Sequence, residues 1–371
     1  MTTAQPRPGT SALVRSLLLI GASVALASCG TGQPAVPAPT RAETPAASPA
    51  TAVGPSNTTT PSAATTAGSS SQRASALGSP LPAPAPLAPF GGPAAAGQGA
   101  WGPAGRPVGG VRAVYETALV PPGGGQRAGI SWMDTHLLSA RLYSGSKSPG
   151  GGPYRYTAPI QPAQAQSLVA AFNGGFLMKD TGGGYYTEGR VVAPLRPRAA
   201  SLVIYADGTV NVGAWGSDVV MTPDVVSVRQ NLVPLVAGGR PTPQAASTGW
   251  QAWGSTCGAT SCAAAVPGIE HQWRSGVGIT ADGALIYATG PALDPLQLAQ
   301  LLVRAGAVRG MQLDINPDWT VFVSYDPAAA GGLATPSDGS KLLSSTVQGP
   351  WTFFEPWWAR DFVTMSARPA G

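Results

Sequence analysis

The stretch 274–319 decides how the rest of the chain is interpreted. It opens with RSGVGITADGALIYATG and closes with RGMQLDINPDW. Two runs with the composition of β-strands meet at Asp282-Gly283, a dipeptide typical of a hairpin turn. Residues 295–305 then predict a helix that Asp294 caps, with a proline in its first turn. A final strand is predicted at 311–313.

This order places Asp314 and Asn316 directly after a buried strand. A carboxylate and an amide held there have rigid support below and solvent access above, which a binding or catalytic site requires. The alternative is that Asp314 only caps a turn. The other candidate residues that accompany Asp314 must therefore decide between the two interpretations.

Composition limits both the fold and the class of partner. The chain has 371 residues, 49 Gly, 38 Pro and a net charge of +5. The part of the chain that is less rich in Gly and Pro, roughly 260 residues, is long enough for one large domain with a sizeable core. Basic and acidic residues nearly balance there, so the sequence predicts no nucleic-acid-binding surface.

The N-terminus has the features of an export signal. An apolar run at 17–27 is too short to span a bilayer and has the length of a signal-peptide core. It ends in Leu26-Ala27-Ser28-Cys29, which resembles the bacterial lipoprotein signal. The resemblance implies removal of residues 1–28 and lipid attachment to Cys29, which anchors the protein at the extracytoplasmic face of the cell membrane. The alternative is an ordinary secretory signal with a chance cysteine.

Residues 29–105 consist mainly of Ala, Pro, Thr, Ser and Gly. Such a segment buries too little apolar surface to offset its ordering entropy, so it predicts a disordered tether. Phe90 is an exception within it. A single globular domain is expected at 106–371.

Two cysteines remain in that domain, Cys257 and Cys262, in a Gly/Ser/Thr-rich loop. In an exported protein this spacing predicts a local disulfide. A zinc site is not predicted, because His271 is the only histidine nearby and four ligands cannot be assembled. The sequence gives no reason to expect a metal or a cofactor.

Other elements can be placed more coarsely. Residues 111–120 and 129–143 predict strands. Residues 162–171 predict a short helix, because a proline starts the run and apolar residues then recur along one face. The segment 201–212 predicts a hairpin centred on Ala206-Asp207-Gly208.

A possible binding loop follows the predicted helix at Asn173-Gly174-Gly175-Phe176. Glycines allow a ligand to approach the backbone closely, and the asparagine amide can both donate and accept. A plain Asn-Gly turn is the alternative. A strand pair with Glu188-Gly189 at its turn is predicted next.

The chain closes with an aromatic-rich tail at 351–362 that contains Trp351, Trp357 and Trp358. Core packing is the first interpretation of these rings. A platform for stacking on sugars is the second.

Several of these pieces occur together, and in the same order, in one family. From about residue 110 to 365 the chain resembles the phosphodiester glycosidase domain family, which includes uncovering-enzyme-like proteins and bacterial exopolysaccharide-biosynthesis-type proteins. The matching pieces are Asn173-Gly174-Gly175-Phe176, segment 231–241, Arg274 with its hairpin, Gly306-Ala307 and Leu313-Asp314. The resemblance implies an α+β fold with mixed β-sheets, a few helices and a cleft.

The resemblance also implies that Asn173, Arg274 and Asp314 face that cleft as catalytic residues. Arg274 could clamp a phosphodiester charge. Asp314 could act as a general base on water or stabilise positive charge at the sugar carbon. Candidates for a second carboxylate and for other substrate contacts are Glu188, Asp318, Gly174, Gly175 and Asn316.

One departure from the family concerns the residues after Asp314. The family has a glycine run followed by serine there, whereas this chain has Ile315-Asn316-Pro317-Asp318-Trp319. A glycine run can cradle phosphate with backbone N–H groups, and Pro317 has none. Two functions therefore remain open. The first is a lipid-anchored cell-surface hydrolase acting on a glycosyl phosphodiester or related cell-envelope glycan, and the second is a non-catalytic, cell-wall glycan-binding lipoprotein.

Overall fold

The structure is a computed structural model that describes residues 78–91, 96–247, 271–329 and 331–369. Within them the strands form one sheet of eight strands and two of five. The eight-stranded sheet runs in the order β1 (Gly102–Val108), β2 (Val111–Leu119), β3 (Ala128–Met133), β14 (Leu285–Leu293), β13 (Gln272–Thr280), β15 (Ala307–Gln312), β11 (Val236–Ala237), β12 (Arg240–Pro241).

The two smaller sheets are named after their central strands. The β5 sheet has the order β17 (Gly339–Lys341), β16 (Phe322–Tyr325), β5 (Leu168–Asn173), β18 (Phe362–Ala367), β4 (Leu138–Tyr143). The β10 sheet has the order β7 (Arg190–Ala193), β6 (Tyr185–Thr187), β10 (Val225–Gln230), β8 (Ala200–Tyr205), β9 (Val210–Ala214).

All pairs between these strands are antiparallel. The expectation of mixed sheets is therefore wrong for the described residues. Parallel pairs need long crossover connections, usually helical, and this chain uses hairpins and loops instead. The α-helices within the described ranges are few, namely α1 (Pro162–Ala165), α2 (Pro243–Ala246) and α3 (Pro295–Arg304). The fold is thus mostly β-sheet, and the α+β expectation holds only coarsely.

The predicted helix before the key strand is confirmed as α3. Asp294 Oδ1 accepts from the Gln297 N–H at 2.7 Å, and Gln297 Oε1 accepts from the Asp294 N–H at 3.0 Å. This reciprocal capping box fixes where the helix begins. The side chain of Leu298 packs close to Gly276 of the large sheet. The helix therefore covers one face of that sheet.

The predicted helix at 162–171 is wrong in its second half. Helix α1 ends at Ala165, and the strand β5 begins at Leu168. All six β5 residues are buried, and the strand pairs with β16 on one side and β18 on the other. A short apolar run does not distinguish a buried strand from a buried helix, so neighbouring strands decided the outcome.

The β5 sheet packs on the face of the large sheet opposite α3. Phe172 and Phe322 contact Tyr287 of β14, with ring centroids 5.3 Å and 5.2 Å apart. Val277 and Met311 belong to the same buried cluster. Residues at the ends of β5, β13 and β15 are therefore brought together, and this is where the candidate site lies.

Of the segment predicted as a tether at 29–105, the structure describes residues 78–91 and 96–105. Strand β1 already begins at Gly102, and the Gly78 N–H donates to the carbonyl of His136 at 3.2 Å. Arg304 at the end of α3 donates to the Ala88 carbonyl at 2.7 Å, and its guanidinium lies over the Phe90 ring at 4.3 Å. The domain therefore includes residues 78–91. Composition alone missed this because a few apolar side chains are enough to anchor the segment.

Three predictions fall wholly outside the described residues. They are the signal peptide at 1–28, lipid attachment at Cys29, and the disulfide between Cys257 and Cys262. Within the described part, no helix is both long and apolar enough to cross a membrane. The same residues contain no group of three or more His, Cys, Asp or Glu side chains placed to hold a metal ion.

Candidate active site

The site is built around Asp314, two residues after the end of β15. Its carboxylate is buried, and Oδ1 accepts from the Ile315 N–H at 2.8 Å and the Asn316 N–H at 3.0 Å. Oδ2 makes no hydrogen bond within the described structure, and Arg360 Nη1 lies 3.7 Å from it. One carboxylate oxygen is thus held by two backbone N–H groups, while the other has no hydrogen-bond partner among the described residues.

The electrostatics of Asp314 suit proton transfer. Burial raises its pKa to about 6, because the charged form loses its hydration. The charge of Arg360 and the two backbone N–H groups oppose this, and the nearby Asp361 adds to it. Asp314 therefore changes its protonation state close to neutral pH, where a catalytic acid or base is most effective.

The loop after Asp314 offers no backbone donor to a phosphate. Its first two N–H groups bind the carboxylate, and the Asp318 N–H donates to Asn316 Oδ1 at 2.9 Å. The N–H groups of Trp319 and Thr320 both donate to the Asn316 carbonyl, and Pro317 has none. Asn316 therefore shapes the loop, and the side chain of Asp318 is exposed beyond it.

Asn173 is connected to Asp314 through a serine. Its Nδ2 donates to Ser275 Oγ at 3.0 Å, and the same Oγ accepts from the Asp314 N–H at 3.1 Å. Its Oδ1 accepts from the Tyr287 hydroxyl at 2.7 Å and the Val321 N–H at 3.1 Å. The structure thus brings Asn173 to Asp314 as a buried positioning group, with both ends of its amide occupied.

Gly174 and Gly175 are close to protein groups that leave no space for a side chain. A Cβ on Gly174 would lie 2.1 Å from Asp361 Oδ2, and one on Gly175 would lie 2.8 Å from Asn231 Oδ1. Glycine is required here by the close approach of the backbone to buried polar groups. The predicted substrate contact of the two glycines is not needed to explain them.

The group below these glycines is an ion pair that the sequence analysis missed. Arg229 Nε donates to Asp361 Oδ2 at 2.7 Å, and Nη2 donates to Oδ1 at 3.1 Å. Arg229 also donates through Nη1 to Thr181 Oγ1 at 2.8 Å and to the Gln230 carbonyl at 2.6 Å. A charged residue inside the buried strand β10 was the available signal, since buried charges are rarely left unpaired.

Arg274 lies on the other face of β13 from Ser275, because side chains alternate along a strand. It is fully buried, with Nε donating to the Leu293 carbonyl and Nη1 to Gln312 Oε1, both at 2.7 Å. The cation beside Asp314 is Arg360, which the sequence analysis did not single out.

Glu188, like Arg274, has its contacts away from Asp314. At the β6–β7 turn its carboxylate accepts from the N–H groups of Arg155 and Tyr156, each at 3.0 Å. It lines a cavity of about 230 Å³ together with Arg141 and Ser227. The acid that lies near Asp314 is instead Asp361, whose oxygens are bound to Arg229.

Comparison with known proteins agrees with the resemblance read from the sequence. Residues 166–341 match the family model described as phosphodiester glycosidase, so this part of the chain is similar to that family. Asn173, Arg229, Ser275 and Asp314 lie inside the matched range, and Arg360 lies beyond it. No curated protein matches the chain.

Solved structures provide distant similarities. One is the zebrafish N-acetylglucosamine-1-phosphodiester α-N-acetylglucosaminidase catalytic domain, auto-inhibited by its pro-peptide, with 15% identity and a TM-score of 0.40. That alignment covers 71% of this chain and 87% of the other. A hypothetical protein from Synechocystis has 12% identity and a TM-score of 0.41, with 72% and 64% covered.

Proposed function

We propose that this protein is a hydrolase that cleaves a glycosyl phosphodiester of the cell envelope, with Asp314 as the reacting carboxylate. The observation that carries the proposal is the free Oδ2 of Asp314, buried 3.7 Å from Arg360 Nη1. The match of residues 166–341 to the phosphodiester glycosidase family supports the reaction class of this proposal. The cell-envelope substrate is the finer part of the proposal.

In this mechanism ionised Asp314 accepts a proton from water as the water oxygen bonds to the anomeric carbon. The bond between that carbon and the phosphate oxygen breaks, and its electron pair leaves with the phosphate monoester. Such a leaving group has a second pKa near 6 and is stable without protonation. A separate general acid is therefore unnecessary, which fits a site where the neighbouring Asp361 is held by Arg229.

Arg360 is the proposed phosphate ligand. Its Nη1 makes no hydrogen bond within the described structure, and its guanidinium lies 4.8 Å from the centre of the Trp319 ring. A guanidinium can offer two parallel donors to phosphate oxygens and stabilise their charge. It supplies what the loop after Asp314 lacks, because the N–H groups of that loop are already used.

The test uses the full chain and a panel of sugar 1-phosphodiesters with a chromogenic alcohol. We expect wild type to release the phosphate monoester and Asp314→Asn to lose nearly all activity. Asp326→Asn is the matched control, since this exposed carboxylate pairs with Arg112 at the surface and should be dispensable for activity. Activity that survives unchanged in Asp314→Asn would contradict the proposal.

The proposal includes attachment to the membrane by lipid at Cys29. The supporting observation is the sequence Leu26-Ala27-Ser28-Cys29 after an apolar run. Growth with a radiolabelled or alkyne fatty acid should label wild type and move it to the membrane fraction. Cys29→Ala should be unlabelled. Equal labelling of both proteins would exclude lipid attachment at this cysteine.

A second function, binding of wall glycan without cleavage, is supported by the closed state of the site. Asp314 is buried, and the following loop has no free backbone donor. In that case the full chain should sediment with isolated wall polysaccharide and release no product. Asp314→Asn should then bind as wild type does.

A further inference from the structure

Two tryptophans are exposed near the candidate site. Trp357 and Trp351 have 54% and 40% of their surface accessible. Their ring centroids are 6.0 Å apart with an angle of 45° between the planes, so they form one continuous aromatic surface. Exposure of two adjacent indoles is costly in water, and such a surface marks an interaction site.

A series of ring contacts connects this surface with Asp314. Trp357 contacts Trp358 with centroids 6.4 Å apart, and Trp358 contacts Trp319 at 4.9 Å. The guanidinium of Arg360 covers Trp319 and reaches Asp314. The exposed pair is therefore the outer end of a contact path whose inner end is the reacting carboxylate.

Unpaired polar atoms lie along the same path. Trp358 Nε1, Arg360 Nη1, Asp314 Oδ2 and Thr320 Oγ1 are buried and make no hydrogen bond within the described residues. Buried polar groups normally have partners, so each of these needs an explanation. Unsatisfied buried polar groups thus occur among the residues that connect the exposed rings with Asp314.

The backbone that carries the exposed pair is held by hydrogen bonds and packing. The Ser146 hydroxyl donates to the Trp357 carbonyl at 3.1 Å, and the Ser146 N–H donates to the Trp358 carbonyl at 2.8 Å. The Trp351 indole lies against Gly349, where a Cβ would approach Nε1 to 2.9 Å. Rigid aromatic groups bind with little entropic cost.

We propose that Trp351 and Trp357 form a sugar-binding subsite, which stacks on a ring of the glycan adjacent to the linkage that Asp314 cleaves. One face of a pyranose ring is lined by C–H groups and packs on an indole, while its hydroxyls stay in water. This assignment rests on the proposed function for its position next to the cleaved bond. It extends that function from a phosphodiester to a substrate with at least one further sugar.

The kinetic test compares two chromogenic phosphodiesters, one with a single sugar and one extended by two sugars. For Trp357→Ala we expect kcat/KM on the extended substrate to fall about tenfold, mainly through KM, since an aromatic contact contributes about that much. The single-sugar substrate should react as in wild type. Trp357→Phe should restore most of the loss, and Val191→Ala, at an exposed apolar residue of β7, is the control.

A binding test separates this proposal from the proposed function. If wild type cleaves no phosphodiester, the full chain is sedimented with isolated wall polysaccharide, and loss of binding in Trp351→Ala and Trp357→Ala supports the subsite without the reaction. Turnover and sedimentation that are unchanged in both variants overturn the subsite. Binding to phospholipid vesicles that the variants lose, with glycan binding intact, overturns it in favour of a membrane contact.

Discussion

Two buried aspartates near the centre of the domain have opposite environments. Asp361 receives two hydrogen bonds from Arg229, at 2.7 Å and 3.1 Å. Asp314 has Arg360 at 3.7 Å, with no hydrogen bond between them. The difference teaches that a buried carboxylate is structural when its charge is fully paired. It is available for chemistry when one oxygen remains unpaired.

The arginines differ in the same way. Arg229 also donates to Thr181 and Gln230, so its position is determined by the protein alone. Arg360 Nη1 has no such partner in the described structure and lies partly on an aromatic face. We therefore expect damage to the Asp361 pair to reduce stability and damage to the Asp314 pair to reduce activity.

The largest expected effect is that of Asp314→Asn on turnover. Loss of a general base typically costs 10²–10⁴-fold, so we expect about a 10³-fold fall in kcat with little change in KM. Asparagine keeps the oxygen that accepts from Ile315 and Asn316, and it removes a buried charge. The Tm at pH 7.5 should therefore not decrease. A large fall in Tm would show that Asp314 is structural and would break the comparison.

Asp361→Asn should have the reverse effect. Removing one partner of a buried pair leaves an uncompensated charge and costs about 3–5 kcal/mol. For a domain of this size that corresponds to a decrease in Tm of roughly 10 °C. The surface pair of Arg112 and Asp326, 2.7 Å apart, is the control. Asp326→Asn should change the free energy of unfolding by less than about 1 kcal/mol.

Gly174→Ala tests the same pair by steric means. The added Cβ would lie 2.1 Å from Asp361 Oδ2, so the backbone or the ion pair must shift. We expect the free energy of unfolding to fall by about 1–3 kcal/mol, as for other overpacked cores. Gly125→Ala is the control, because its Cβ would meet no atom within 4 Å. Equal Tm values for both variants would mean that the loop above Asp361 is not tightly packed.

The smallest expected effect is a shift in the pH dependence of kcat/KM. Because the pKa of Asp314 is about 6 and ionised Asp314 is the active form, kcat/KM should rise with pH below 6 and level off above it. Arg360 lowers that pKa, so Arg360→Met should move the midpoint to higher pH, and Arg360→Lys should move it less. Rates that fall as pH rises through 6 would instead indicate that protonated Asp314 is the active form.

The raised pKa of Asp314 also makes the stability of the folded chain depend on pH. The pKa of Asp314 is higher in the folded chain than in the unfolded chain, so its contribution is most favourable below about pH 4 and is lost as pH rises through 6. Asp314→Asn should therefore gain in Tm relative to wild type between pH 4 and 7. Thermal scans across that range measure this difference directly.

Local signals in the sequence predicted the parts of the fold that depend on interactions between residues close in sequence. The hairpins of β8–β9 and β13–β14, and helix α3 with its cap at Asp294, were found because turn and cap residues act within a few positions. Asp314 was singled out because it follows a recognisable strand and because the other family-like motifs accompany it. The extent of α1 was wrong, because strands far along the chain determine the state of β5.

The Asp361 pair was not predictable by such signals. Arg229 and Asp361 are 132 residues apart, and neither lies in a motif that requires the other. Arg274 was expected in the site because the family resemblance implied that it faces the cleft. Strand alternation places consecutive side chains on opposite faces, so one of the two neighbours Arg274 and Ser275 had to lie away from Asp314.

The described segment 78–91 is attached to the folded domain at several points. The Gly78 N–H donates to the His136 carbonyl at 3.2 Å, at the turn between β3 and β4. Further along the segment, Arg304 contacts Ala88 and Phe90, and the Leu87 N–H donates to the Gly99 carbonyl at 2.9 Å. A force applied at residue 78 would therefore load these contacts before it reached β1, the edge strand of the large sheet.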